Sequence, residues 1–305
     1  MEHRRLTDRI ARMPTNDRAL IGTFLAGSLV TLLIGVVAGS LVALTRGGAM
    51  APEPDTGYRL LTSHGISAFF FWLYLAQAGL LLCLAAAHAR PQPAVAWRPL
   101  AWIGCAIMIL GFAATQAGTW LGTPLLYDAD PDLAQDDRTN AFLIYAGYLA
   151  LALGLGLGAL SALATAIVGK SENGGKPWSA VTFGAVAWAG LILVSSFAIV
   201  NAFLPAALWS IGAGPRPADH STGWHILFHN LHYLPLMGTV LIWYALMRDM
   251  TGARSVFGER FSKIVFALYL IFVPPTSLYH MFLEPGLAPL VRALGSVLSL
   301  FVGVP

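Results

Sequence analysis

Seven apolar stretches, each long enough to cross a bilayer, recur along this chain and decide its architecture before any single residue is weighed. A hydrocarbon core needs about 20 apolar residues per helix. By that rule, helices fall near residues 19–44, 60–88, 99–122, 140–168, 179–209, 222–247 and 262–283. An eighth starts near Leu287 and runs to Pro305 with no polar cap behind it, which reads as a frame cut short inside a membrane helix. The expected fold class is all-α, a polytopic transmembrane helix bundle of seven complete helices plus an incomplete eighth. Residues 1–18 form a polar, basic tail, and 19–305 form a single transmembrane domain. The first apolar run lacks a clear cleavage site, so it reads as a membrane helix and not as a removed signal peptide.

Composition excludes the soluble alternatives. Only 11% of residues are charged and the mean hydropathy is +0.68, whereas soluble domains are nearer a quarter charged. The net charge of +3 is small and resides in loops, which argues against a nucleic-acid surface. Cys83 and Cys105 both lie in apolar segments, which excludes a disulfide framework and gives no zinc spacing.

Orientation follows from the basic residues. The odd-numbered polar segments carry thirteen of the 18 Lys and Arg residues, and the even-numbered ones carry five. The acidic run 128–138 falls on the poor side, where a solvated loop, or a docking surface for a basic redox partner, is expected. The positive-inside rule then places the N-terminus in the cytoplasm, and a bacterial inner membrane is the expected location. Counted from the expected helix ends at 1.5 Å per residue, His64, His229 and His280 lie within roughly 5–10 Å of the outer edge of the apolar core. Scattered structural histidines have no reason to agree in depth.

Three motifs carry chemistry. In Ser221–Tyr244, His225, His229 and His232 are spaced i, i+4 and i+7 and share one helix face. Tyr233 follows His229 by four residues, so a metal on that imidazole would have a phenol beside it. Imidazoles and phenols within lipid are costly unless they meet a metal, a cofactor or a proton. The plain alternative is an aromatic belt. Pro235 cannot donate its helical hydrogen bond and should kink the helix there. His64 sits in GYRLLTSHGISAFFFWLYLAQ, where Gly65 and Ala68 leave little bulk beside the imidazole. A flat macrocycle could approach there, with Phe69 to Trp72 at its rim; an interfacial histidine bonded to a neighbouring helix is the alternative. In PPTSLYHMFLEPG (274–286), Pro274 and Pro275 break the ladder before His280, a candidate metal ligand or an interfacial cap, and Glu284 and Pro285 end the helix. Gly154, Gly156 and Gly158 lie within a span and read as close helix packing, not a nucleotide loop. His3 and His88 read as solvated, and His220 in the outer loop is open.

TSHG on helix two, H-x-x-x-Y on helix six, and a histidine followed by F-x-E-P-G on helix seven resemble subunit I of the haem–copper oxidases, with the B-type branch nearest. The resemblance extends along the chain to SVLSLFVGVP in helix eight. It implies that His64 is an axial ligand of a low-spin haem, that His229 and His280 bind copper, and that Tyr233 is the tyrosine linked to the helix-six ligand. Tyr244, Thr276, Ser296 and Ser299 match positions on a proton path from the cytoplasm. A high-spin haem facing the copper is implied too, with its ligands beyond helix eight. So are partners: other oxidase subunits, including a subunit II-like electron-entry domain, and cytochrome c or a similar donor.

Two departures qualify the resemblance. Tyr279 stands where the family has the first of paired histidines, leaving one copper ligand missing, for which His232 is the available substitute. Asn230 follows His229 where most oxidases have proline. The implied activity is dioxygen reduction to water at the haem–copper centre, coupled to proton uptake. The alternatives are a nitric oxide reductase of the same superfamily, or a non-catalytic haem-binding paralogue. Retention of Tyr233 favours the oxidase; loss of a histidine at 279 favours the reductase.

Overall fold

The computed structural model describes residues 6–218, 220–253, 255–280 and 288–299, with the side chains of 221–222, 225–230, 232, 275–280 and 298–299 outside that description. The regular elements among the described residues are all helices. They form α1 (Leu6–Ala11), α2 (Thr15–Arg46), α3 (Pro54–Gly65), a wide π-helical turn (Ile66–Phe71), α4 (Trp72–Ala89), α5 (Arg98–Leu121), α6 (Arg138–Glu172), α7 (Ala180–Ser210), α8 (His220–Thr251), α9 (Gly258–His280) and α10 (Pro289–Ser299). Five spans among the described residues are long and apolar enough to cross a membrane: α2, the continuous run Pro54–Ala89, α5, α6 and α7. Helices α8 and α9 add 32 and 23 residues.

The expected spans are all present, and most are longer than their apolar cores. Helix two starts at Pro54 instead of residue 60, because Pro at the first helical position needs no N–H partner. Prolines 274 and 275 do not end α9, which continues to His280. In a bundle, neighbouring helices re-satisfy the backbone groups that proline frees.

From α5 onward, consecutive helices pack side by side. Helix α5 lies along α6, α6 along α7, α7 along α8, α8 along α9, and α9 along α10; α4 fills the middle against α2, α6 and α7. Small residues set the closest approach. A Cβ at Gly104 would stand 2.8 Å from the Gly154 carbonyl oxygen, so α5 and α6 meet backbone to backbone. That is the packing expected of Gly154, since apolar side chains gain nothing over lipid and close van der Waals contact drives association.

Polar contacts sort the loops into two ends. At one, Arg9 donates to the carbonyls of Ala87 and Arg90, and the Leu6 amide donates to Asp249 at 2.7 Å. There Arg98 pairs with the fully buried Asp17 at 3.0 Å, and Arg90 pairs with Glu172. The Glu172 carboxylate holds the Arg90 guanidinium above its ordinary range. Tail residues from Leu6 onward are thus packed into the bundle end. At the other end, Arg59 donates to the Trp120 carbonyl, Thr62 to the Leu125 carbonyl, and Arg216 pairs with Asp132 at 3.1 Å. The basic and the acidic segments therefore gather at opposite ends, as the charge count requires.

Candidate functional site

His64 is the best-defined candidate. It is half-buried at the end of α3, and its Nδ1 lies 2.8 Å from the Gly35 carbonyl oxygen of α2. A carbonyl only accepts, so Nδ1 carries the proton and Nε2 keeps its lone pair. Orientation of one ring nitrogen by a backbone carbonyl is how ligating imidazoles are held. The approach depends on Gly39, where a Cβ would stand 2.6 Å from Nδ1, and on Gly35, where one would stand 2.8 Å from the Ala68 Cβ.

The small residues beside His64 serve packing. Gly65 is covered by the Tyr127 ring, 2.9 Å from where its Cβ would be, and Ala68 fits against Gly35. The expected open flank is therefore filled on both of these positions. Phe70 and Phe71 are buried core residues: Phe70 lies 5.0 Å from Tyr148 and 5.7 Å from Trp224, and Phe71 lies 5.2 Å from Phe112.

The remaining candidates sit on α8, α9 and α10. His229 and His232 on α8, with His280 and Thr276 on α9, are carried by neighbouring helices, while α3 bearing His64 packs against α2 and α5. The span that carries His64 also reaches α8, through Phe70 beside Trp224 and Tyr74 on the Leu231 carbonyl. The side chains of His225, His229, Asn230, His232, Thr276, Tyr279, His280 and Ser299 lie outside the described residues, as do Glu284 and Pro285 altogether. Among the described residues, no group of three or more His, Cys, Asp or Glu side chains forms a metal cluster. Tyr233 is half-buried and packs on the core. Tyr244 meets Phe266 edge-on at 5.8 Å and lines a cavity of about 920 Å³ with Val240, Met247 and Phe257; Arg248 and Glu259 pair at its edge at 2.7 Å. Ser296 donates back to the Arg292 carbonyl at 2.9 Å.

Three further features escaped the sequence reading. Tyr74 is fully buried and donates to the Leu231 carbonyl at 3.0 Å, between His229 and Tyr233 in sequence. Pro235 has no N–H for that carbonyl, its i−4 partner, so a phenol from α4 fills the place. Trp188 donates to Gln77 at 3.2 Å and packs against Gly238, where a Cβ would stand 2.5 Å from its ring. At the acidic end, the imidazole of His220 pairs through Nε2 with the Asp128 carbonyl at 2.8 Å, and the Tyr148 phenol donates to the Tyr127 carbonyl at 2.7 Å. Burial, then the nearby Asp130 charge, raises the Asp128 carboxyl above its ordinary value. The run 128–138 is thus partly folded into the bundle end instead of simply solvated. The phenol on α4 and the Leu231-x-x-x-Pro235 carbonyl on α8 are 157 residues apart, so the pairing leaves no local signal in the sequence.

A bundle of long apolar helices defines a polytopic integral membrane protein. Residues 19–305 match the family model described as cytochrome c and quinol oxidase polypeptide I, and the chain belongs to that family. Cytochrome c oxidase subunit 1 of Thermus thermophilus is 27% identical over 304 residues, covering 92% of this chain and 51% of that protein. The fold is similar to a chain from a cryo-EM structure of a haem–copper terminal oxidase dimer, with a TM-score of 0.80 at 19% identity over 96% of this chain and 50% of that one. The chain therefore spans about half the length of the relatives it matches.

Proposed function

We propose that this chain forms the part of a terminal respiratory oxidase that binds a low-spin haem and contributes copper ligands for reducing dioxygen to water. The observation that carries the reading is the His64 imidazole, fixed through Nδ1 by the Gly35 carbonyl with Nε2 left free to bind iron. That donor fits an axial haem site. For copper, the donors would be His229 and His280, with His232 as the third. Bound haem and copper would supply electron delivery and polarisation of oxygen.

The protein's own part is orientation and proton supply. Tyr74 ties down the α8 backbone between His229 and Tyr233. Tyr233 holds a proton at its phenolic oxygen, one turn from His229. Tyr244 lies eleven residues further along α8, about 16 Å away at the helical rise, and faces the cavity at the basic end. Thr276, Ser296 and Ser299 would continue that path. The reading places the N-terminus and the basic end in the cytoplasm of a bacterial inner membrane. It makes a subunit II-like domain and a cytochrome c-type donor the partners. Tyr279 and Asn230 favour one second reading, nitric oxide reduction, because they alter the copper ligand set.

The test is a pyridine haemochrome spectrum of the complex purified from membranes, followed by parallel oxygen-uptake and nitric oxide-consumption assays. Haem content with oxygen uptake supports the oxidase. Consumption of nitric oxide alone selects the second reading, and absence of haem overturns both.

A further inference from the structure

The span carrying His64 is not a plain α-helix. Ile66–Phe71 forms a π-helical turn directly after it. Such a turn lodges an extra residue in the helix, re-aims the side chains around it, and is rarely kept without a functional reason. It must also be held open, because its hydrogen-bond geometry is poorer than that of the α-helix it replaces.

Two serines flank His64 in sequence at the mouth of this turn. Ser63 and Ser67 are 2% and 0% exposed, respectively. Ser63 Oγ donates to Gln116 Oε1 at 2.7 Å, and Gln116 Nε2 donates to Ser67 Oγ at 3.1 Å. One amide from α5 thus ties Ser63 to Ser67 across the start of the π turn. Phe112, one turn earlier on α5, packs its ring 5.2 Å from Phe71, the last residue of the π turn. Helix α5 therefore grips the turn at its start with hydrogen bonds and at its end with a ring.

These serines differ from the buried hydroxyls that bond back within their own helix and resemble Thr62 and Ser161, which reach the Leu125 and Ala96 carbonyls. Thr31 bonds back to the Ser28 carbonyl, Thr119 to Thr115, Thr165 to Ser161, and Ser196 to Ile192, each within its own helix. That local solution was open to Ser63 and Ser67. Ser63 instead donates to Gln116 and Ser67 accepts from it, so one side chain of another helix holds both serines.

We infer that Gln116 is a positioning residue for His64. It holds the π turn in register through Ser63 and Ser67, and so sets the rotation of the imidazole about the helix axis, while the Gly35 carbonyl sets its tilt from the opposite side. The inference rests on the reading of His64 as a haem ligand. It adds that the geometry at the iron is governed from α5, by a residue that touches neither haem nor substrate.

The experiment is the electron paramagnetic resonance spectrum of the oxidised low-spin haem in the complex purified from membranes, compared across variants at equal haem content. Gln116→Leu is expected to displace the low-spin signal. The paired change Ser63→Ala with Ser67→Ala should displace it the same way, and adding Gln116→Leu to that pair should displace it no further. Gln116→Glu, which keeps the acceptor for Ser63 and gains one for the Ser67 hydroxyl once that hydroxyl turns to donate, should restore the unsubstituted position. A purely structural role would alter yield and leave the signal where it was. Unchanged spectra in both Gln116→Leu and the serine pair overturn the inference. If Gln116→Leu does not assemble, the serine pair carries the test by itself. His64→Ala separates the two ideas: a low-spin signal that survives it overturns the ligand reading instead.

Discussion

Changing Tyr74 to Phe removes one oxygen atom and strands one carbonyl. The phenol donates to Leu231 at 3.0 Å where Pro235 offers no N–H. Both residues are fully buried, so no water replaces the lost donor. An unpaired buried acceptor costs about 1–3 kcal/mol, and interhelical polar contacts in membranes average about 0.6 and reach about 1.7 kcal/mol. The overlap puts Tyr74→Phe at a loss of about 1–2 kcal/mol. The cause is testable because Pro235→Ala returns an N–H four residues beyond Leu231. In that background Tyr74→Phe should cost less than about 0.5 kcal/mol, giving a coupling near 1 kcal/mol in a double-mutant cycle. Unfolding of the detergent-solubilised protein, followed by helical circular dichroism against denaturing detergent, measures all four variants. Equal penalties with and without Pro235 would refute the account, and the Tyr74 contact would then be ordinary packing.

Further outcomes follow from other sites. Gly39→Ala places a methyl 2.6 Å from His64 Nδ1, so the Gly35 bond must break; a loss of haem from the purified complex, read by pyridine haemochrome, is expected. Asp17→Ala leaves Arg98 and the Val95 amide without their shared carboxylate; the cost should be about 1–3 kcal/mol, read as a fall in thermal midpoint. For Asp128, the folded carboxyl is raised by burial first and by Asp130 second. The folded state therefore binds that proton more tightly than the unfolded chain does. The resulting stability is present at low pH and lost as pH climbs through the raised value. Asp128→Asn should flatten that part of the midpoint-against-pH curve and stabilise the protein at neutral pH; an unchanged curve would assign the slope elsewhere.

Hydropathy alone located the helices, because bilayer thickness imposes a length that loops cannot imitate. Their ends were less legible. Pro54 and the polar first turns of α6 and α8 extend the helices past the apolar cores, and hydropathy does not register such turns. His64 was legible from its neighbours TSHG, yet its anchor was not: the Gly35 carbonyl belongs to the backbone of another helix, and only the close spacing of Gly35 and Gly39 hints at an approach there. Gly65 and Ala68 looked like room for a ligand because a small residue shows where bulk is missing, not what fills the gap; here Tyr127 and Gly35 do. The π turn had no signal in ISAFFF, whose apolar character suits either helix. Gln116 and Tyr74 act across helices, so their partners appear only once the bundle is assembled.

The short tail helix α1 reaches across the bundle end to Asp249, 243 residues away in sequence, and also binds the end of α4. Ribosomal synthesis delivers the amino terminus first, yet that contact cannot close until α8 has been inserted. The Arg9 contacts to the end of α4 can close early, but α1 is tied at both places only once α8 has arrived.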